Sequence, residues 1–289
     1  MTRILRVLAP NPGPLTLDGT NTWVVGEQPS VVIDPGPDDP SHLLGVLDEA
    51  TPVGAVLLTH RHADHAEGAR RFARAAGVEV YAFRPEGPER ALADGDIVRA
   101  GAVRVRVVHT PGHTQDHLAF FLDGPRALFT GDAVLGRGTS VVDPPEGDMA
   151  QYLESLGRMR DLDPLTIYPG HGPVVFDAAD RLEAYLAHRR EREEQVWAAL
   201  ADGRKAPAQV VPGIYEGEVD PSMFPLAERS VLAHLLKLER EGRVARSGRG
   251  QDVRFERIEP RACERCGRPA AKGSRYCSRC AVSALQERP

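Results

Sequence analysis

The sequence predicts an α+β fold whose strands feed a metal site. Four short apolar runs each end in a turn and then a metal-ligating residue. Strands that all deliver ligands at one end bring them to one edge of a sheet. Helix-like segments lie between the strands and dominate the chain beyond residue 177. The densest ligand run is Thr59-His60-Arg61-His62-Ala63-Asp64-His65, with three histidines and one carboxylate in six positions. It is too polar for a core and fits no amphipathic period, whereas imidazole and carboxylate suit zinc and its neighbours.

Asn11-Pro12-Gly13-Pro14 and Asp18-Gly19-Thr20-Asn21 are turn clusters. Strands are expected over 22–26 and 30–34, and Asp34, before Pro35-Gly36, reads as a turn former. A helix is expected over 41–50, with Ser41 as its N-cap. The buried strand 53–59 leads into the histidine run, which is placed on a loop before a helix over 67–76 that Gly77 ends. The alternating strand 103–107 leads to His109-Thr110-Pro111-Gly112-His113. Gln115-Asp116-His117 then precedes the apolar strand 118–122. Leu128-Phe129-Thr130-Gly131-Asp132 and Thr166-Ile167-Tyr168-Pro169-Gly170-His171 complete the series. His42, His188 and His234 fall in helix-like segments and read as structural or solvent-exposed.

The ordered series HxHxDH, then His113, Asp132 and His171, with TPGHT and TGD around it, resembles the metallo-β-lactamase superfamily over roughly residues 4–175. The resemblance implies an αββα sandwich and a dinuclear site. One ion is expected on His60, His62 and His113, and the other on Asp64, His65 and His171, with Asp132 bridging. The metals of that superfamily are usually zinc, with manganese or iron as alternatives. Such a pair lowers the pKa of a bridging water from ~15.7 toward ~7 and polarises the bond attacked. Asp64 and Asp132 are therefore expected to be catalytic. His117 is a third candidate, either orienting a ligand or protonating a leaving group. Arg137 and Thr139 are placed at the mouth by loop position. The stretch from Asn11 to Gly26 and the segment Tyr168 to Val174 are similar to a subgroup that includes a mitochondrial β-lactamase-like endoribonuclease. That subgroup carries a C-terminal winged helix.

The rest of the chain fits the same outline. Expected domains are a hydrolase over 1–176, a winged helix over 177–259 and a zinc ribbon over 260–289. A polar helix over 181–201, an apolar-striped helix over 226–241 and two strands over 243–257 make the winged helix. Such a module binds nucleic acid, covers an active-site mouth or joins a homodimer. Cys263-Glu264-Arg265-Cys266 and Cys277-Ser278-Arg279-Cys280, with Gly267 and Gly273 at turns, point to a structural zinc site with four cysteine ligands, two disulfides being the alternative. Ten Arg and one Lys lie between residues 243 and 280 against one Asp and three Glu, in a chain of formal net charge −5. A basic appendage on an acidic hydrolase suits single-stranded RNA.

No stretch approaches the ~18 apolar residues of a membrane span, and the N-terminus lacks an apolar signal region, so no membrane partner and a cytoplasmic location are expected. The leading functional expectation is a phosphodiesterase, an endoribonuclease using a metal-bridging hydroxide. The alternatives are a thioester or ester hydrolase resembling hydroxyacylglutathione hydrolase, and a nucleic-acid-binding protein with a secondary hydrolase site. Only 38 residues separate Asp132 from His171, so no large cap fits between them.

Overall fold

The computed structural model describes residues 2–85, 87–258, 263–267, 277 and 280. Strands β1 (Ile4–Leu8), β2 (Asn21–Val25), β3 (Ser30–Ile33), β4 (Val53–Leu57), β5 (Val80–Phe83) and β6 (Arg90–Leu92) form one sheet in that order. Strands β7 (Ile97–Ala100), β8 (Val103–His109), β9 (Leu118–Leu122), β10 (Ala127–Gly131) and β11 (Thr166–Pro169) form a second. Helices α1 (Pro40–Ala50), α2 (Ala63–Ala66) and α3 (Ala69–Ala76) follow strands of the first sheet; α4 (Met149–Asp161) and α5 (Ala178–Ala198) belong with the second.

Strand alternation builds the layers. Trp23, Val25, Ile33 and Leu57 of the first sheet meet Val105, Val107, Phe120 and Phe129 of the second in one core. Their neighbours point the other way. Val24, Val32 and Val56 pack under Leu43, Val46 and Phe72 of α1 and α3. Val108, Phe121 and Leu128 pack under Tyr152, Leu156, Leu182 and Tyr185 of α4 and α5. This is the expected αββα sandwich.

Two local expectations change. Helix α1 starts at Pro40, and Asp39, not Ser41, is its N-cap, accepting from the backbone N–H of His42 at 2.8 Å. Proline suits the first helical position, and the Ser41 hydroxyl instead donates to Asp39. Asp64 and His65 sit on the short helix α2 rather than on a loop, and a break at Glu67-Gly68 separates it from α3.

The winged helix follows. Helices α6 (Pro207–Val210), α7 (Pro212–Tyr215) and α8 (Phe224–Arg240) precede the antiparallel pair β12 (Val244–Ser247) and β13 (Arg254–Arg257). Their core joins Val210, Ile214, Val231, Leu235, Val244 and Phe255 to Val196 of α5. Helix α5 therefore serves two cores, with Leu182, Tyr185 and Leu186 in the sandwich and Val196 in the winged helix. Beyond it, the described part of the tail holds the four cysteines, while the rest of 260–289, Gly273 included, lies outside the described residues. Among the described residues no helix is long and apolar enough to cross a membrane.

Candidate metal centre

All four ligand-bearing turns open at one edge of the sandwich. The parallel pairing of β10 with β11 sets Gly131 beside Pro169, and the N–H of Gly170 donates to the carbonyl of Gly131. Asp132 is thereby placed next to His171. Both glycines make room for the centre: a Cβ on Gly170 would lie 2.6 Å from Asp132 Oδ1, and one on Gly131 2.6 Å from Thr59 Oγ1.

Two groups of side chains converge there, His60–His62–His113–Asp132 and Asp64–His65–His171. In the first, His62 Nδ1 lies 2.9 Å from His60 Nε2 and 3.2 Å from His113 Nε2. In the second, His65 Nε2 lies 3.2 Å from His171 Nε2 and 3.3 Å from Asp64 Oδ2. The edge of a tetrahedron with ~2.05 Å bonds is about 3.3 Å, so these spacings suit ligands around one ion each. Asp132 points Oδ1 at His65 and His171 (3.4 and 3.3 Å) and Oδ2 at His113 (3.8 Å). Its buried Oδ1 has no hydrogen-bond partner among the described residues. A buried carboxylate oxygen left without a donor is expensive unless a cation meets it. The donor set thus fits two divalent ions sharing Asp132.

The outer ring nitrogens fix the tautomers. His113 Nδ1 donates to the Val141 carbonyl at 2.8 Å, and His171 Nδ1 to that of Gly19 at 3.1 Å. His65 Nδ1 donates to Asp34 Oδ2 at 2.8 Å. His60 Nδ1 lies 3.0 Å from Thr59 Oγ1, whose hydroxyl donates to Asp34 Oδ2 at 2.6 Å. Each of these four rings is left with its Nε2 lone pair facing inward.

Asp34 therefore braces one histidine of each group, and also accepts from the Thr59 N–H at 2.7 Å. Reading Asp34 as a turn former missed this. It does turn the chain, with φ +51°, but its carboxylate is 2% exposed. A non-glycine residue held there is strained, and such strain marks a functional position. No feature of its sequence neighbourhood separates it from an ordinary Asp-Pro-Gly turn. The stretch 19–23 braces the centre as well. Thr20 Oγ1 lies 3.3 Å from Asp64 Oδ2, Asn21 Nδ2 donates to the carbonyls of Pro169 and Gly172, and Trp23 Nε1 donates to that of Pro169.

The charges are strongly coupled. Burial, with neighbouring His65 adding to it, pushes His60 well below the usual histidine range. Burial opposes protonation of His171, yet Asp132 and Asp64 raise it to about 9. Burial would raise Asp132, but His171 and His65 hold it well below the usual carboxylate range. In chelated protein the His171 proton stabilises the fold. That stability is fully present below the unfolded value of ~6.5 and is lost as pH rises through about 9. A metal must displace this proton, and also the one that, against burial, Asp132 and Asp34 hold on His65, so apparent zinc affinity should rise at least about tenfold per pH unit up to pH 9. Competition titrations with a chelator between pH 7 and 10 measure this; a flat profile over pH 7–9 contradicts it.

Of the other candidates, His117 is fully buried. Its Nδ1 lies 2.9 Å from Thr110 Oγ1, and its ring packs 5.3 Å from that of His60. That position suits bracing His60 better than meeting a leaving group. His109 stacks on Phe83, away from both groups. Arg137 pairs with Asp18 at 2.9 Å beside Gly19 and Thr20, while Thr139 is exposed. His42 and His234 are buried rather than solvent-exposed.

The arginines of the wing are largely engaged. Arg243 pairs with Glu193 and Glu194, Arg246 with Glu239, and Arg257 donates to the last carbonyls of α5 at Trp197 and Ala198. At these three positions the charge is met by partners on α5 and α8; apart from Arg265, the counted basic residues beyond 258 lie outside the described residues. In the tail, four sulfur ligand atoms lie within 4.8 Å of one another, and Cys266 Sγ is 3.7 Å from Cys277 Sγ. The edge of a tetrahedron with ~2.3 Å bonds is about 3.8 Å, whereas a disulfide needs ~2.05 Å. Backbone N–H groups, that of Cys277 foremost, lower the Cys263 thiol to about 6, which favours the ligating thiolate.

Comparison with known proteins follows the same division. The model of the family described as metallo-beta-lactamase superfamily matches residues 15–93 and 81–171, and that of the beta-lactamase associated winged helix domain matches residues 206–252. The chain is 40% identical over 212 residues to lactamase-like protein aptB of Emericella nidulans, covering 71% of this chain and 67% of that one. It is 36% identical over 239 residues to an atrochrysone carboxyl ACP thioesterase of Claviceps purpurea, covering 78% and 76%. The crystal structure of a beta-lactamase domain protein from Burkholderia ambifaria superimposes with a TM-score of 0.77 at 27% identity, covering 89% of this chain and 91% of that one.

Proposed function

Because the chain belongs to the metallo-beta-lactamase superfamily, and is a metal-dependent hydrolase of it, we propose that its substrate is a thioester. The observation that carries this reading is the 36% identity, over most of both chains, to an acyl-carrier thioesterase. It takes the place of RNA cleavage as the leading reading.

Two bound divalent ions, which we propose to be zinc, would supply an activated water and polarise the carbonyl. The chain's own residues do the rest. Asp132 sets the spacing of the two groups and offsets their charge. His62 and Asp64, with side chains 39% and 28% exposed, face the open side from which a carbonyl would arrive. The water oxygen would add to the carbonyl carbon, the C–S bond would break with its electron pair leaving on sulfur, and the water's protons would pass to bulk solvent, from which the departed thiolate can be reprotonated. A thiolate of pKa ~8.5 departs without an acid. A ribose oxygen profits from one, and His117, the candidate for that task, is buried behind His60.

The four-cysteine group is proposed to hold a structural zinc, the ribbon is proposed to begin after 259, and the boundary between hydrolase and winged helix, expected at 176, is proposed to fall within α5, which both cores share. The deciding experiment gives zinc-replete protein an acyl-pantetheine thioester and labelled single-stranded RNA in parallel. Release of thiol that stops on chelation, with RNA intact, is expected. Metal-dependent RNA cleavage with the thioester untouched would overturn the proposal.

A further inference from the structure

We propose that Arg189 is a positioning residue for the metal centre, through which the helices beyond the sandwich set the orientation of His113. His113 is held by one backbone carbonyl, that of Val141, with Ser140 Oγ 3.2 Å from the same ring nitrogen. Those two residues lie on an irregular segment with no strand or helix to fix it. Its place is set from outside by side chains of α5 and α8.

Arg189 of α5 donates its guanidinium to the carbonyl of Ser140. One turn and two turns earlier, Tyr185 and Arg181 donate to the carbonyl of Gly138 at 3.1 and 3.2 Å. On the far side, Arg229 of α8 donates to the Pro144 carbonyl at 2.7 Å and pairs with Asp143. The segment carrying Val141 is thus pinned on both flanks.

Arg189 stands out among these contacts. It is 2% exposed and, among the described residues, forms no ion pair. It lies over the ring of Tyr152, whose hydroxyl donates to the Ala133 carbonyl, next to the bridging Asp132. A buried guanidinium without a carboxylate is a poor choice for stability, since an apolar side chain of its size would be cheaper to bury. A long, rigid donor reaching one carbonyl is a good choice for holding that carbonyl in place. The residue to which it donates is adjacent to the one that fixes the His113 tautomer.

The inference rests on the dinuclear reading but not on the thioester. Cobalt titration of the full chain tests it, with visible absorption as the readout. Besides one equivalent at the four cysteines, marked by its thiolate absorption, wild-type protein should take up two at the dinuclear centre. Arg189→Met should weaken one of them about 10- to 100-fold and shift its absorption, leaving the other in place, and Arg189→Lys should recover part of the loss. Should Arg189→Met fail to fold, Arg229→Ala, whose side chain is 44% exposed, should loosen the same equivalent about threefold. A purely structural Arg189 would lower Tm and leave both affinities unchanged, and that result overturns the inference. Wild-type protein that binds no cobalt outside the four cysteines overturns the dinuclear reading and this inference with it.

Discussion

Asp132→Ala should lower turnover by at least about a thousandfold and reduce the metal bound at the dinuclear centre from two equivalents to one or none, leaving the ion at the four cysteines in place. The size of the effect follows from the two directions in which this carboxylate points. Oδ1 faces His65 and His171, and Oδ2 faces His113, so a single truncation takes a ligand from both groups and removes the negative charge between them. The loss extends to the metal-free protein, because Asp132 also contributes to the charge balance of His65 and His171. Metal analysis and steady-state kinetics on the purified variant check the expectation. Full activity would mean that a contaminating hydrolase produced the signal. Two equivalents retained at the centre, beyond the one at the cysteines, would mean that Asp132 does not bridge.

Asp34→Asn should be nearly as damaging, although Asp34 touches neither ion site. One oxygen of the amide can still accept from the Thr59 N–H. Its NH2 would then face His65 Nδ1 and the Thr59 hydroxyl, both of which are donors toward Asp34 Oδ2. Donor against donor favours the other histidine tautomer, with the proton moved to Nε2 and the inward lone pair lost. A wrong tautomer at a catalytic histidine has lowered turnover ~10⁴-fold elsewhere. Here, metal affinity should fall about 100-fold or more and turnover with it. Isothermal titration with zinc reads the first effect, and unchanged affinity would show that Asp34 is a turn residue only.

The contrast between these two carboxylates shows what was legible in advance. Asp132 is announced by its setting, since an apolar strand, a Gly and an acid form one unit with the three similar turns around it. The ligand-bearing strands and the wing's hairpin could be read this way, because strand period is a local pattern, whereas the αββα order and the assignment of the seven residues now seen together came from the family resemblance. Asp34 could not, because its function depends on parallel pairing of β3 with β4, which brings Ile33 beside Leu57 and so Asp34 beside Thr59. Arg189 was hidden for the same reason. In an Arg- and Glu-rich helix it reads as one more solvated charge, and only the packing of α5 against the segment after Asp132 buries it. Arg243 and Arg246 were hidden likewise, since their acidic partners come from α5 and α8.

Helix α5 gives its first half to the sandwich and its last turns to the winged helix. Proteins whose modules hang on a linker can lose or exchange one of them by a cut in the DNA. No such cut is open here. Ending the chain at 176 would remove the α5 part of the cover over Val108, Phe121 and Leu128, and starting a free wing beyond 198 would leave its core without Val196. The two parts are therefore physically interdependent, and an appendage that leaves both cores intact attaches beyond the wing, which is where this chain carries its four cysteines.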